Sequence, residues 1–302
     1  MTDIVVIGAG PAGLTAALYA LRGGMSVQLI EKQGVGGQIA TSPKVENMPG
    51  FTSVSGMELA DSMFNQVMEL GAEIELDEVT GVEKTENGWV VKGVEGAYDA
   101  KCVIIAAGAQ HRKLGIEHEE ELVGRGISYC AVCDGAFFKG KDVAVIGGGS
   151  TALQDAILLS QSCENVWVIY RGSAFKKAEQ AVIRSLEARQ NIRVLFDTVV
   201  TGVKEEGGML SSLILDGPSA KELKVDGMFV AIGLEPENAP FAAAAGLDNW
   251  GYIASGEDCR TASEGLFVAG DCRAKTVRQL TTAMADGTVA ALAAIEYIEN
   301  HN

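Results

Sequence analysis

"DIVVIGAGPAGLTAALYALRGGMSVQLIEK", residues 3 to 32, reads as a short β-branched strand, a glycine turn, an Ala/Leu-rich helix and a second apolar strand, which together make a βαβ unit. Gly8, Gly10 and Gly13 stand in GxGxxG spacing around Pro11 and Ala12, and Glu31 closes the second strand. Glycines there allow the tight turn and let the backbone approach a pyrophosphate at the helix N-terminus, while the acid accepts hydrogen bonds from an adenosine ribose. A lone GxGxxG is weak, because a turn that merely packs has the same glycines. Strand, turn, helix and acid together favour a dinucleotide site.

The pattern recurs in "DVAVIGGGSTALQDAILLSQSCENVWVIYR", residues 142 to 171, where Gly147, Gly149 and Ala152 form the related GxGxxA and Ser150 and Thr151 open the helix. Two such units suggest two dinucleotides, one able to pass electrons to the other; a duplicate kept only for folding is the alternative. A length of 302 residues fits about two domains. Apolar strands at 102–106 and near 226–232 end two sections, "GLFVAGDC" gives one more strand, and 278–299 reads as a long helix. Breaks around 112–116 and 234–238 are charged or Pro-containing and read as linkers. The expected fold is α/β, with two Rossmann-like, three-layer domains of mostly parallel sheet and antiparallel hairpin excursions. The first domain is discontinuous, 1–113 with 237–302, around a central domain at 114–236.

Composition, at 47% hydrophobic and 21% charged, is that of a globular protein, and a formal charge of −16 argues against a nucleic-acid partner. The start "MTDIVVIGAGPAG" lacks a basic segment followed by an apolar run and cleavage site, and no apolar stretch has the length of a membrane span. The expectation is a cytoplasmic protein without a membrane partner. Cytosolic reductants keep most thiols reduced, so a close cysteine pair is a candidate for catalysis or metal.

That pair lies in "ISYCAVCDGAF", residues 127 to 137. Zinc on Cys130 and Cys133 needs two more ligands, yet the other cysteines are scattered and the histidines are only His111, His118 and His301. An inert packed pair is the other alternative, but CxxC beside a βαβ unit favours redox chemistry. A disulfide spanning two residues can open without unfolding, and a lowered thiolate pKa makes one sulfur a nucleophile at neutral pH.

Over essentially its whole length the chain resembles the low-molecular-weight, bacterial-type thioredoxin reductases. The resemblance is carried by GAGPAG at 8–13, GGQ at 36–38, VENMPGF at 45–51, CAVCDG at 130–135, GGGSTA at 147–152, GDC at 270–272 and RQL at 278–280. It implies an FAD domain from the outer segments, with Glu31 at the adenosine ribose. Gly36, Gly37, Gln38 and Asn47 would then lie along the flavin, Asp271, Arg278, Gln279 and Leu280 near the ribityl chain and isoalloxazine, and Val79, Ala106, Gly108 and Gly270 elsewhere on FAD. For Asp271 alone, a helix-capping acid is the alternative. The resemblance also implies that Cys133 faces the flavin, that Cys130 exchanges with the disulfide of thioredoxin, and that Asp134 protonates the departing thiolate. It further implies a domain rotation and a homodimer formed by FAD domains.

The departure lies in "VIYRGSAFKK", residues 168 to 177. NADPH-using members carry HRRxxxR here to grip the 2′-phosphate; this chain offers Tyr170, Arg171, Gly172 and Lys176. Lysine gives a point charge where arginine gives a fork. An NADH site wants an acid where Tyr170 stands, and Lys176 with Lys177 reads equally as a solvated helix start. NADPH on Gly147, Gly149, Ser150, Thr151, Ala152, Arg171 and Lys176 is the leading donor reading, with NADH and reduced ferredoxin as alternatives. A flavin dithiol oxidase and a non-enzymatic redox-sensing flavoprotein are the other classes. The Asp-Gly after the second cysteine favours the reductase.

Overall fold

A computed structural model describes residues 1–301 apart from Pro43 and Lys177. The chain divides into two compact units, Met1–Gln110 with Glu235–Asn302, and His111–Leu234. The breaks expected at 113/114 and 236/237 fall a few residues C-terminal to these seams.

The first stretch of unit 1 runs β1 (Thr2–Ile7), α1 (Pro11–Arg22), β2 (Val27–Glu31), α2 (Gly56–Glu69), β3 (Glu73–Leu76), β4 (Val79–Thr85), β5 (Gly88–Gly93) and β6 (Ala97–Ile105), and the two-residue β7 (Gln110–His111) falls on the seam. Unit 2 contains β8 (Ile127–Ser128), α3 (Ala131–Asp134), β9 (Asp142–Ile146), α4 (Ser150–Leu159), β10 (Asn165–Ile169), α5 (Gln180–Glu187), β11 (Ile192–Leu195), β12 (Val199–Glu206), β13 (Met209–Asp216), β14 (Glu222–Lys224) and β15 (Gly227–Val230). After β16 (Leu234–Glu235), unit 1 resumes with α6 (Ala242–Ala245), β17 (Leu266–Val268) and α7 (Leu280–His301).

Unit 1 is built on a sheet in the order β3-β2-β1-β6-β5-β4, with β17 also pairing β6. β1, β2, β3, β6 and β17 are parallel, while β4, β5 and β6 form an antiparallel meander. From Ile4 to Ile7 β1 is an unbroken apolar run because both of its faces are buried there, as a central parallel strand requires. Ile4 and Val6 pack with Leu29, Ile104, Phe267 and alanines of α1 and α7, whereas Val5 and Ile7 pack with Ile30, Val103, Trp89 and Phe241 on the opposite face. Burial of each such large side chain is worth roughly 2 kcal/mol. α7 reaches α1 so closely that a Cβ on Gly287 would lie 2.2 Å from the Ala12 carbonyl oxygen. The sheet of unit 2 is wholly parallel in the order β11-β10-β9-β15-β8, beside a separate antiparallel sheet β12-β13-β14. In both units helices cover one face of a mostly parallel sheet, α1 and α7 in the first and α4 and α5 in the second, while residues of antiparallel strands, Trp89 and Val91 or Leu213 and Leu215, pack on the other.

A buried charge cluster fixes the turn between β17 and α7. Asp286 of α7, 7% exposed, accepts Arg273 Nε and Nη2 at 2.9 and 2.8 Å, Lys275 Nζ at 2.8 Å and the Gly270 N–H at 3.1 Å. Burial alone would raise this carboxyl, but the hydrogen bonds and charges of Arg273 and Lys275 outweigh it and hold the group below its ordinary value. Its stabilisation is therefore present above the ordinary carboxylate range and lost as pH falls through the lowered pKa. Asp286→Asn is expected to reduce the unfolding free energy at neutral pH by about 3 kcal/mol in urea titrations, since it strips the partner from two buried cations. The difference from the parent should close in acid; a gap that persists there would show that charge is not its source.

Candidate active site

In unit 1 the glycine turn brings distant segments onto one strip. Gly8, at φ +102°, donates its N–H to Ile30 O at 2.8 Å, and a Cβ on it would lie 2.5 Å from Ala106 O. Gly13 sits on the same turn: a Cβ there would fall 1.9 Å from Gly8 O, so only glycine lets α1 start here. Gly10 caps α1, Pro11 opens it where no N–H is required, and Ala12 is buried behind. Gly36 donates to Ala9 O at 2.8 Å, and Gly37 follows within van der Waals reach of Gly10. Gln38 Nε2 donates to Ala109 O, joining the GGQ loop to the chain after Ala106 and Gly108. From the C-terminal segment, Gly270 packs on Ala12, Arg278 Nε donates to Asp271 O at 3.2 Å, and Gln279 Oε1 accepts from Asn47 Nδ2 at 3.4 Å. Leu280 begins α7. Val79 follows Asp77, whose N–H donates to Glu31 O at 3.0 Å, which sets it toward the Glu31 end.

These residues fit a dinucleotide such as FAD. Glu31, 8% exposed, accepts the Ala9 N–H at 2.7 Å with one oxygen and the Gln33 N–H at 2.9 Å with the other, which aims the carboxylate along the turn with lone pairs to spare for ribose hydroxyls. At the other end Asp271 Oδ1 is buried without a hydrogen-bond partner among the described residues. A buried orphan acceptor calls for a donor, and a ribityl hydroxyl is one. Burial raises the Asp271 carboxyl, opposed by the charges of Lys275 and Arg278. Arg278 also stacks over Tyr252 at 4.0 Å, so the guanidinium is held in place.

Unit 2 carries the second turn and the disulfide. Gly147 donates to Ile169 O at 3.0 Å, Gly149 caps α4, and Ala152 is fully buried at the place that Gly13 holds in unit 1. Ser150 Oγ accepts the Glu179 N–H at 3.1 Å, and Thr151 is exposed. Tyr170 stands where Glu31 does, and its ring lies so close to Gly148 that a Cβ there would be 2.4 Å from it. Phe175 stacks on Tyr170 at 5.8 Å, and Phe196 follows at 4.9 Å. Arg171 and Lys176 are exposed, and Lys177 lies outside the described residues. The turn fits a pyrophosphate, and its edge offers cations in place of a carboxylate.

β8 pairs with β15 through Ile127 and Ser128, and the chain then turns directly into α3. Cys130 and Cys133 form a disulfide with Cα atoms 5.3 Å apart. Cys130 is half-buried and Cys133 exposed; the Cys133 N–H donates to Cys130 Sγ at 3.2 Å. Asp134 is half-buried, and burial lifts its carboxyl above the ordinary range against a hydrogen bond from Ser128 at 2.6 Å. The remaining cysteines differ: Cys102, Cys163, Cys259 and Cys272 are buried, and burial pushes Cys102 and Cys259 up to about 12 and Cys272 up to about 11. They are not thiolates at neutral pH. Among the described residues no cluster of His, Cys, Asp or Glu could hold a metal ion, and no helix is long and apolar enough to cross a membrane.

Sequence reasoning missed three residues. Ser128, two positions before the first cysteine, has no sequence signal; its hydroxyl donates to Asp134 Oδ2 only in the folded turn. Glu119, 2% exposed, accepts the Leu114 and Gly115 N–H groups and the Tyr129 hydroxyl, tying the start of unit 2 to the disulfide loop. Asp286 gives no sequence signal of its own, since its partners Arg273 and Lys275 reach it only through the fold.

The profile of the pyridine nucleotide-disulphide oxidoreductase family matches residues 2–287. The chain is 39% identical to the thioredoxin reductase of Bacillus subtilis (strain 168) over 300 residues, covering 98% of this chain and 95% of that protein. It is 40% identical to the thioredoxin reductase of Treponema pallidum (strain Nichols), with coverage of 98% and 97%. The crystal structure of thioredoxin reductase from Streptococcus pyogenes MGAS5005 is similar at a TM-score of 0.94 and 35% identity, covering 99% of both chains. The chain belongs to the pyridine nucleotide-disulphide oxidoreductase family, within its low-molecular-weight thioredoxin reductase branch.

Proposed function

We propose that this chain reduces the disulfide of thioredoxin or a thioredoxin-like protein through Cys130–Cys133, with unit 1 holding FAD and NADPH as donor. The observation that carries the reading is the composition of one short turn: a disulfide, an N–H directed at one of its sulfurs, and a carboxyl of raised pKa next in sequence. FAD, when bound along the strip from Glu31 to Asp271, supplies the two-electron relay between donor and disulfide.

The protein's own groups account for the rest. Opening the disulfide takes two electrons and two protons; the S–S bond breaks, and the sulfur released as a thiolate takes a proton from Asp134. The Cys133 N–H favours negative charge on Cys130 Sγ, which makes Cys130 the exchanging nucleophile. After losing its proton, the Cys130 thiolate attacks one sulfur of the partner disulfide, forming a mixed disulfide and releasing a partner thiolate, which takes up a proton. Cys133 then attacks Cys130, re-forming the disulfide and freeing the reduced partner.

NADPH is favoured over NADH because Tyr170 has no carboxylate for a free 2′-hydroxyl, while Arg171 and Lys176 are cations available to a phosphate. The packing of Tyr170 on Gly148 favours ferredoxin as the second reading, since an aromatic ring occupies the edge of the turn. For the assembly we propose a homodimer through unit 1, whose α7 leaves Val289 and Leu292 exposed.

Mixed anaerobically with NADPH, NADH or reduced ferredoxin, the FAD-loaded protein is expected to lose its flavin absorbance fastest with NADPH and to regain it on addition of oxidised thioredoxin. Bleaching by ferredoxin alone would reject the nucleotide reading, and peroxide formation from a dithiol and oxygen without thioredoxin turnover would reject the reductase. Replacing Arg171 and Lys176 by alanine should raise KM for NADPH at least about tenfold with kcat little changed, because removing a phosphate interaction equally from ground and transition states acts on binding. Asp134→Asn should lower kcat by roughly a hundredfold, the scale of general acid catalysis. Since its pKa is raised, the parent's rate of disulfide opening should fall as pH climbs through that value, and the variant's should not.

A further inference from the structure

Ser128 closes β8, only 3% exposed, and its hydroxyl sits among three groups of the disulfide turn. It accepts the Cys130 N–H at 3.0 Å, donates to Asp134 Oδ2 at 2.6 Å, and has Cys130 O at 3.4 Å. A hydroxyl has one proton and two lone pairs, so these contacts cannot all be made at once with the proton fixed. While Asp134 is ionised, the proton belongs to the short contact with Oδ2. Once Asp134 is protonated, its O–H can donate to Ser128 Oγ, and the serine proton turns to Cys130 O. Throughout, one lone pair stays on the Cys130 N–H. The oxygen thus satisfies the carboxyl in both states, and an anchored strand end fixes the oxygen: Ser128 pairs with Phe229 of β15.

We propose that Ser128 is the positioning residue of the proton donor, holding Asp134 and the Cys130 N–H in one geometry whether Asp134 carries its proton or has delivered it. The inference rests on the reading of Asp134 as the acid that serves disulfide opening. No other group of the turn does this: among the described residues Ser128 is the one side chain with a hydrogen bond to the Asp134 carboxyl. The buried site explains why the residue is small, and the need for a proton on either side explains why it is a hydroxyl.

The test follows the opening of Cys130–Cys133 by dithiothreitol in the oxidised, FAD-loaded protein under anaerobic conditions, with acid quench, alkylation and mass analysis of the two cysteines. Here a dithiothreitol thiolate attacks one sulfur, the S–S bond breaks, and the released sulfur takes the proton; neither thioredoxin nor a physiological donor is involved. Ser128→Ala is expected to slow opening about tenfold, a part of what general acid catalysis supplies. Ser128→Thr, which keeps the hydroxyl, should restore the rate to within about twofold. In a double-mutant cycle Ser128→Ala should add almost nothing to Asp134→Asn, since the serine acts through the carboxyl. Flavin absorbance and melting temperature, recorded for each variant, identify a protein that has lost its fold. If Asp134→Asn opens as fast as the parent, the acid itself is wrong and this inference falls with it. If Asp134→Asn is slow but Ser128→Ala is not, or the two effects simply add, the acid stands and Ser128 is overturned as its positioning residue.

Discussion

The carbonyl oxygen of Gly8 leaves no room for a side chain at residue 13, and unit 1 is organised around that backbone contact. It seats the N-terminus of α1 on the end of β1, which turns the unpaired N–H groups of the helix toward the strip where a pyrophosphate belongs. The same end of α1 receives α7 at Gly287 and the GDC turn at Gly270, so three segments far apart in sequence meet where one helix begins. Unit 2 uses the related solution, with Ala152 in place of the third glycine and a parallel sheet of its own. One local rule, applied twice, aims a helix N-terminus at each of two glycine turns in a chain whose net charge is −16.

Charge placement then separates the roles of the two units. In unit 1 the acid after the second strand is locked by backbone N–H donors and suits ribose hydroxyls. In unit 2 that position is an aromatic ring, with cations exposed beside it. The cysteine pair follows a third logic, with an N–H, a hydroxyl and a carboxyl gathered beside the disulfide within a single turn. Four other cysteines are kept out of that chemistry by burial, which holds them as thiols.

Much of this was legible in the sequence, for physical reasons. Strand, glycine turn and helix are local, and their periods of two and 3.6 survive in one dimension. The long helix read over 278–299 runs Leu280–His301, and the strand read over 102–106 is the buried end of β6. What periodicity could not supply, resemblance offered as expectation: the parts of Cys130, Cys133 and Asp134, and the distant residues that would lie along the flavin. Asp286, Glu119, Ser128 and the stacking of Tyr170 on Gly148 stayed illegible because each matters through a partner brought near only by the tertiary fold. A serine two positions before a cysteine carries no signal until the turn folds its hydroxyl back on Asp134.

The central claim is that Cys130 is the sulfur that meets the partner disulfide and Cys133 the one that resolves it. The direct measurement uses reduced Cys133→Ser and Cys130→Ser variants, each mixed with a thioredoxin lacking its own resolving cysteine and activated as a thionitrobenzoate mixed disulfide. The account predicts release of thionitrobenzoate and a stable covalent complex, seen in non-reducing electrophoresis, with Cys133→Ser alone. A complex formed by Cys130→Ser and not by Cys133→Ser, in keeping with the greater exposure of Cys133, would contradict it.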